Sequence, residues 1–311
     1  MLHPLRDLIR ERGSVVIDGA MSTALEKLGC DLNNRLWSAR ILADDPEKIR
    51  TVHAQYFEAG ADVAITASYQ ATAAGFADAE INETEAARLI RLSVTLAREA
   101  RDAYERNHPN RPLLVAGAVG PYGAYLADGS EYTGRYHLTD DAYREFHRVR
   151  LDALKEAGAD LIAVETQPKL EEVAVLLKML ETRELSAWVT FTLADEGHLP
   201  DGTLVEDAAR LCATSPAVDA LGLNCVKREL ATGALKRMAS VTDLPLILYP
   251  NSGETYDAGT KTWHHPVGGP GWQHFVGPWQ SLGVKCLGGC CRTLPRDIEE
   301  ISKIIEAQKK A

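Results

Sequence analysis

Two adjacent cysteines, Cys290 and Cys291, follow two glycines in GGCCR at 288–292, and a third, Cys225, closes GLNC at 222–225. Neighbouring side chains on an extended strand point to opposite faces, so the adjacent pair can share one site only where the strand stops and turns. Gly288 and Gly289 supply conformational freedom for that turn. Three thiolates converging from two strand ends form a ligand set for zinc, with Zn–S bonds of about 2.3 Å. Three protein ligands leave a fourth position open, as a catalytic site requires. The paired C-x-x-C knuckles of structural zinc sites are absent.

A zinc ion held by three thiolates carries net negative charge and is a weak Lewis acid, poorly suited to activating water. It suits holding a substrate thiol as thiolate. A free thiol titrates near about 8.5, and coordination removes the proton outright. In-line attack by that sulfur on an electrophilic carbon is alkyl transfer. The residues alone leave plainer readings open: Cys225 as a small buried hydrophobe, and Cys290 with Cys291 as a vicinal disulfide or inert thiols. Cys30, Cys212 and Cys286 are assigned to packing.

Cysteines can meet only if the chain brings strand ends together. EAGADVAITAS at 58–68 recurs as EAGADLIAVET at 156–166, and more loosely as SLGVKCLGGCC at 281–291. Each copy reads as a helix end, a glycine, then a short β-branched strand, the mark of a repeated αβ unit. Eight strand candidates follow, at 14–19, 62–68, 113–120, 160–166, 186–193, 218–225, 245–251 and 284–289. Continuous apolar strands alternating with amphipathic helices imply a parallel sheet covered on both faces. Eight such units in 311 residues predict a single (β/α)8 TIM-type barrel spanning 1–311, with chemistry gathered at the C-terminal strand ends. The stretch YGAYLADGSEYTGRYH at 122–137 reads as an irregular loop over that mouth.

The net charge of −10 and pI near 5.4 speak against a nucleic-acid partner, which needs a basic face. No apolar run reaches the 18 or so residues that span a bilayer, and the charged N-terminal stretch lacks the apolar core of a signal peptide. The expected location is cytoplasmic, without membrane partners, where cysteines are thiols or metal ligands rather than disulfides.

At these residues the sequence resembles the homocysteine S-methyltransferase family. DGAMSTALE (18–26), ITASYQAT (65–72), VETQP (164–168), GLNC (222–225), YPNSGE (249–254) and GGCCRT (288–293) carry the likeness in family order across nearly the whole chain. SYQATAAGF and GPYGAYLADGSEYTG resemble the single-domain bacterial enzymes that use S-methylmethionine or S-adenosylmethionine. The resemblance implies zinc on Cys225, Cys290 and Cys291, with the thiol of L-homocysteine as fourth ligand. It also places the amino-acid end of homocysteine against Asp18, Glu165 and the residues after Asp18. Local physics agrees: free N–H groups near Met21 and Ser22, at a helix start, can receive a carboxylate, while Asp18 and Glu165 can take the ammonium. Thr66 can hydrogen-bond that ammonium or simply close a turn. Asn251 resembles a family residue near the zinc and can equally be a turn asparagine. Asp18 can alternatively be an N-cap.

Aromatic faces attract the sulfonium of the donor, and Tyr69, Tyr122, Tyr125 and Trp263 are candidates. His264 and His265 read as solvated loop residues. Betaine or a methylated folate are the alternative donors. The chain's end after the eighth barrel helix leaves no room for the folate and cobalamin modules, nor for a long C-terminal extension of the betaine-dependent type. A non-catalytic zinc- or thiol-binding barrel is the alternative from another class, and a hydrolase is disfavoured by the thiolate set.

Overall fold

The computed structural model describes residues 1–34, 36–257, 262–264 and 270–309, without the side chains of 255–257 and 262–264. Eight parallel strands form one sheet: β1 (Val15–Val16), β2 (Val63–Ile65), β3 (Leu114–Val119), β4 (Leu161–Gln167), β5 (Ala187–Phe191), β6 (Val218–Asn224), β7 (Leu246–Tyr249) and β10 (Val284–Leu287). Two short antiparallel strands, β8 (Thr255–Asp257) and β9 (Thr262–His264), form a separate hairpin between β7 and β10. Sheet order runs β1-β10-β7-β6-β5-β4-β3-β2. A parallel bridge between Ile17 and Val63 joins the two ends and closes the barrel. All eight strand positions expected from the sequence are occupied.

The closure has its own chemistry. Asp62, 4 % exposed, accepts from Val16 N through Oδ2 at 2.9 Å, while Arg12 and Arg111 hold its Oδ1. A carboxylate buried between two strands is tolerable because two guanidinium groups and a backbone N–H satisfy it.

Inside the barrel, Trp188, Ile247, Ile17 and Val63 are fully buried and pack as one cluster with Leu5 and Leu8. Those leucines belong to the helix Pro4–Arg12, which plugs the N-terminal end of the barrel. His3 Nδ1 bonds Asp219 Oδ1 at 2.6 Å, and Arg6 reaches Val218 O, fastening the plug to the start of β6. With one end closed by apolar side chains, the opposite end is left for chemistry.

The stretch after β3 is less irregular than its composition suggests. It holds a five-residue helix, Tyr122–Leu126, and a 3-10 turn, Ser130–Tyr132. Gly123 allows the two to touch: a Cβ there would lie 2.7 Å from Glu131 N.

Candidate active site

A cavity of about 390 Å3 opens at the C-terminal ends of the strands. Its floor carries the three cysteines. One sulfur each from Cys225, Cys290 and Cys291 lies within 4.8 Å of the other two. Cys225 Sγ and Cys291 Sγ are 3.7 Å apart, close to the roughly 3.8 Å separation that tetrahedral Zn–S bonds of about 2.3 Å impose. Cys225 and Cys290 bring their sulfurs into direct contact with Cα atoms 5.5 Å apart, and Cys291 lies beside them. Cys212 and Cys286 are buried and Cys30 half-buried, as packing residues should be; burial pushes the Cys212 thiol up to about 12.

The backbone aims the sulfurs. Cys225 follows β6 with φ of 52°, a left-handed conformation that costs a non-glycine residue energy and clusters at functional sites. Thr166, after Glu165 on β4, shares it with φ of 58°. Asn224 holds both turns. Its Oδ1 accepts from Thr166 N at 2.7 Å, its Nδ2 donates to Thr166 Oγ1 at 2.7 Å, and the same Nδ2 lies 3.9 Å from Cys290 Sγ.

Gly288 and Gly289 act differently from the expectation. Neither has positive φ. Room is what they provide: a Cβ on Gly288 would lie 2.6 Å from Ile17 O, and one on Gly289 2.4 Å from Thr293 Oγ1. Close approach lets Gly289 N donate to Asp18 O, and Cys290 N to Pro250 O at 2.8 Å.

Glu165 lines the cavity at 7 % exposure. Burial raises its carboxyl to about 7, against the lowering effects of the Tyr249 hydroxyl and the Arg150 charge. Tyr249 OH donates to Glu165 Oε2 at 3.2 Å and itself receives Trp188 Nε1 at 3.0 Å. Met21, Ser22 and Thr66 also line the cavity. The helix Met21–Lys27 starts there without a side-chain cap. Asp18 is therefore no N-cap; its Oδ2 accepts from Ile65 N at 2.9 Å. It sits beneath the lining at 2 % exposure, raised well above the usual carboxylate range by burial. Thr66 Oγ1 accepts from Ala118 N at 3.0 Å and pairs with Ser68 Oγ, which donates to Ala118 O. Its proton is thus committed to Ser68, and only a lone pair is left to face a donor. Asn251 does not line the cavity. Its N–H donates to Val226 O beside Cys225, and its buried Oδ1 accepts nothing.

Of the aromatic candidates, Tyr69 lines the cavity. Tyr122 and Tyr125 do not: both pack on Phe146, with ring centroids at 4.9 and 5.7 Å. The helix Tyr122–Leu126 turns them outward. The side chains of Trp263 and His264, and His265 altogether, lie outside the described residues. Trp37 and Tyr132 line the cavity without having been anticipated. Trp37 meets Tyr69 edge-on at 6.5 Å. Tyr132 is 45 % exposed at the rim while its hydroxyl reaches the Cys291 sulfur. For Tyr132 a signal existed in the Gly- and Tyr-rich mouth segment; for Trp37 there was none. Among the described lining residues the charged side chains are Glu131 and Glu165, and no lysine or arginine is present.

A family profile described as homocysteine S-methyltransferase matches residues 15–305. Homocysteine S-methyltransferase of Escherichia coli (strain K12) is 50% identical over 304 residues, 95% of this chain and 96% of its own length. The homocysteine methyltransferase MmuM from Escherichia coli, in a crystal structure described as the metallated form, superposes with a TM-score of 0.89 at 47% identity, covering 96% of this chain and 99% of its own. The form described as oxidized gives the same TM-score at 46% identity, covering 99% and 100%. The chain belongs to the homocysteine S-methyltransferase family.

Proposed function

We propose that this methyltransferase moves a methyl group from a sulfonium donor, S-methylmethionine or S-adenosylmethionine, to the thiol of L-homocysteine, using zinc held by Cys225, Cys290 and Cys291. The observation that carries the reading is the trio of sulfurs on the cavity floor. Three soft ligands within one ion's reach suit zinc, and the Cys225–Cys291 separation already matches its coordination sphere. That a relative has been described in a metallated form supports a metal in this enzyme as well. Loading requires all three sulfurs as thiolates, because a sulfur tied up in a disulfide has no charge to donate.

When bound, zinc would keep the homocysteine sulfur deprotonated at neutral pH yet nucleophilic. The chain's own residues do the rest. Glu165, with Asp18 beneath it, receives the homocysteine ammonium, and the lone pair left on Thr66 faces the same way. Backbone N–H groups near Met21 and Ser22, uncapped by any side chain, receive its carboxylate. Asn251, outside the cavity lining, keeps an unused buried Oδ1 beside the Cys225 turn, and only the family resemblance assigns it to the metal's surroundings. Trp37, Tyr69 and Tyr132 offer aromatic faces to a cation. Opposite charges are neutralised as sulfur attacks the sulfonium methyl, so a water-poor pocket and alignment favour the step. No general base is needed.

The lining supports the choice of donor. Carboxylates without a basic side chain among the described residues favour a cation and disfavour an anionic methylfolate. We place the enzyme in the cytoplasm, where thiols stay reduced; among the described residues no helix is long and apolar enough to cross a membrane.

Single replacement of Cys225, Cys290 or Cys291 by Ala is expected to remove zinc, measured by elemental analysis, and to abolish methionine formation from homocysteine and S-methylmethionine. Full activity in a zinc-free triple variant would end the proposal. Turnover with betaine alone would overturn the donor.

A further inference from the structure

The homocysteine end of the cavity has its groups assigned, yet one carboxylate in the lining has no task. Glu131 sits on the 3-10 turn Ser130–Tyr132, across the mouth from the strand ends. Its Oε2 is withdrawn from solvent and accepts no hydrogen bond. A buried carboxylate oxygen left without a donor is costly, of the kind that persists where a ligand completes the set. No lysine or arginine among the described lining residues can supply that donor. Burial raises the Glu131 carboxyl, its own backbone N–H works against that, and the Asp128 charge adds a smaller push upward.

The turn is held rigidly. Glu131 N packs on Gly123, whose helix is anchored where Tyr122 N donates to Glu172 Oε1 at 2.7 Å. The fully buried Glu172 also receives Tyr136 OH at 2.6 Å and pairs with His147 Nε2 at 2.8 Å. These contacts fix the backbone of the turn, which keeps Glu131 in the cavity lining. Next to it, Tyr132 reaches Cys291 with its hydroxyl, so one turn spans the distance from the sulfur centre to Glu131.

Resting on the proposed sulfonium transfer, we infer that Glu131 receives the α-ammonium of the methyl donor and selects for donors that are amino acids. The missing partner is an N–H, and this decides between the donor's two cations. A sulfonium has no N–H to give, whereas an α-ammonium has three. Betaine's quaternary nitrogen has none, so Glu131 attracts it by charge alone and stays unsatisfied. Such unpaired buried groups are how a site rejects an analogue that lacks a donor.

The test uses the full-length, zinc-loaded protein and the isosteric Glu131→Gln, with Glu131→Asp as a second variant and zinc content and circular dichroism as controls for folding. With S-methylmethionine, Glu131→Gln is expected to raise the donor KM tenfold or more while the homocysteine KM moves less than twofold. Calorimetric titration with S-methylmethionine should show the same loss. With 3-dimethylsulfoniopropanoate, a sulfonium lacking the α-ammonium, the variant and the parent should be alike. An unchanged KM for S-methylmethionine overturns the assignment while leaving methyl transfer intact. An equal loss with both donors overturns it in favour of the sulfonium, and a rise confined to homocysteine moves Glu131 to the acceptor side. Absence of turnover by the parent with any sulfonium would instead sink the function itself.

Discussion

At the scale of single residues, the cavity is a set of acceptors waiting for cations. Glu165 shows this best, because burial holds its carboxyl near 7 although Tyr249 donates to it and Arg150 lies within Coulomb range. Above pH 7 the carboxylate is ionised and ready for an ammonium; below it a proton competes. Affinity for methionine, which has no thiol to deprotonate, is therefore expected to fall as pH drops through 7, approaching about tenfold per pH unit. In Glu165→Gln the affinity should be weaker and flat between pH 5.5 and 8. Calorimetry across that range checks it, and a slope that survives the substitution would assign the proton elsewhere. Asp18, also raised by burial, lies under the lining and contributes through Glu165, whose charge it feels.

At the scale of elements, strand ends do the aiming. Left-handed residues mark the ends of both strands, Thr166 just before the last residue of β4 and Cys225 just after β6, and Asn224 ties them together. These turns point a sulfur and a carboxylate inward from strands whose preceding residues pack in the wall. Asn224→Ala removes both bonds to Thr166 and the contact with Cys290 while leaving every sulfur in place. Zinc affinity, measured by competition with a chromophoric chelator, is expected to fall about 10–100-fold, as for other groups that orient metal ligands. Unchanged affinity would mean the turns hold without it. The mouth loop is fixed by a different device. Arg150, buried behind the wall, donates to Tyr69 O and to Gly120 O, both at 2.7 Å, fastening the segments after β2 and β3 to one guanidinium.

At the scale of the whole molecule, the sulfur centre is a clasp. Cys225 and Cys290 are 65 residues apart in sequence and come from β6 and β10, which flank β7 in the barrel. A ligand that binds only the assembled site stabilises the fold by mass action, about 1.4 kcal/mol for each tenfold excess over its dissociation constant. Zinc added to the reduced protein should therefore raise Tm, and a chelator should reverse the rise. After oxidation of Cys225 with Cys290 the zinc-dependent rise should vanish, because two of three ligands are spent. A rise of the same size in oxidised protein would place the metal elsewhere.

The sequence by itself determined the barrel, since eight apolar runs alternating with amphipathic helices admit few other arrangements, and repeated EAGAD phrases mark the unit. It also singled out Cys225, Cys290 and Cys291, because rare residue types at strand ends stand out locally. Tertiary structure alone decided which aromatic side chains face the cavity: the helix Tyr122–Leu126 packs Tyr122 and Tyr125 on Phe146, while the separate 3-10 turn brings Tyr132 to the cavity. It alone showed that Gly288 is needed for close approach, since the obstructing Ile17 O belongs to the neighbouring segment after β1, remote in the chain. Trp37 and Glu131 acquire meaning only when distant loops meet over the strand ends, as contact between chain-remote residues leaves no periodicity to read.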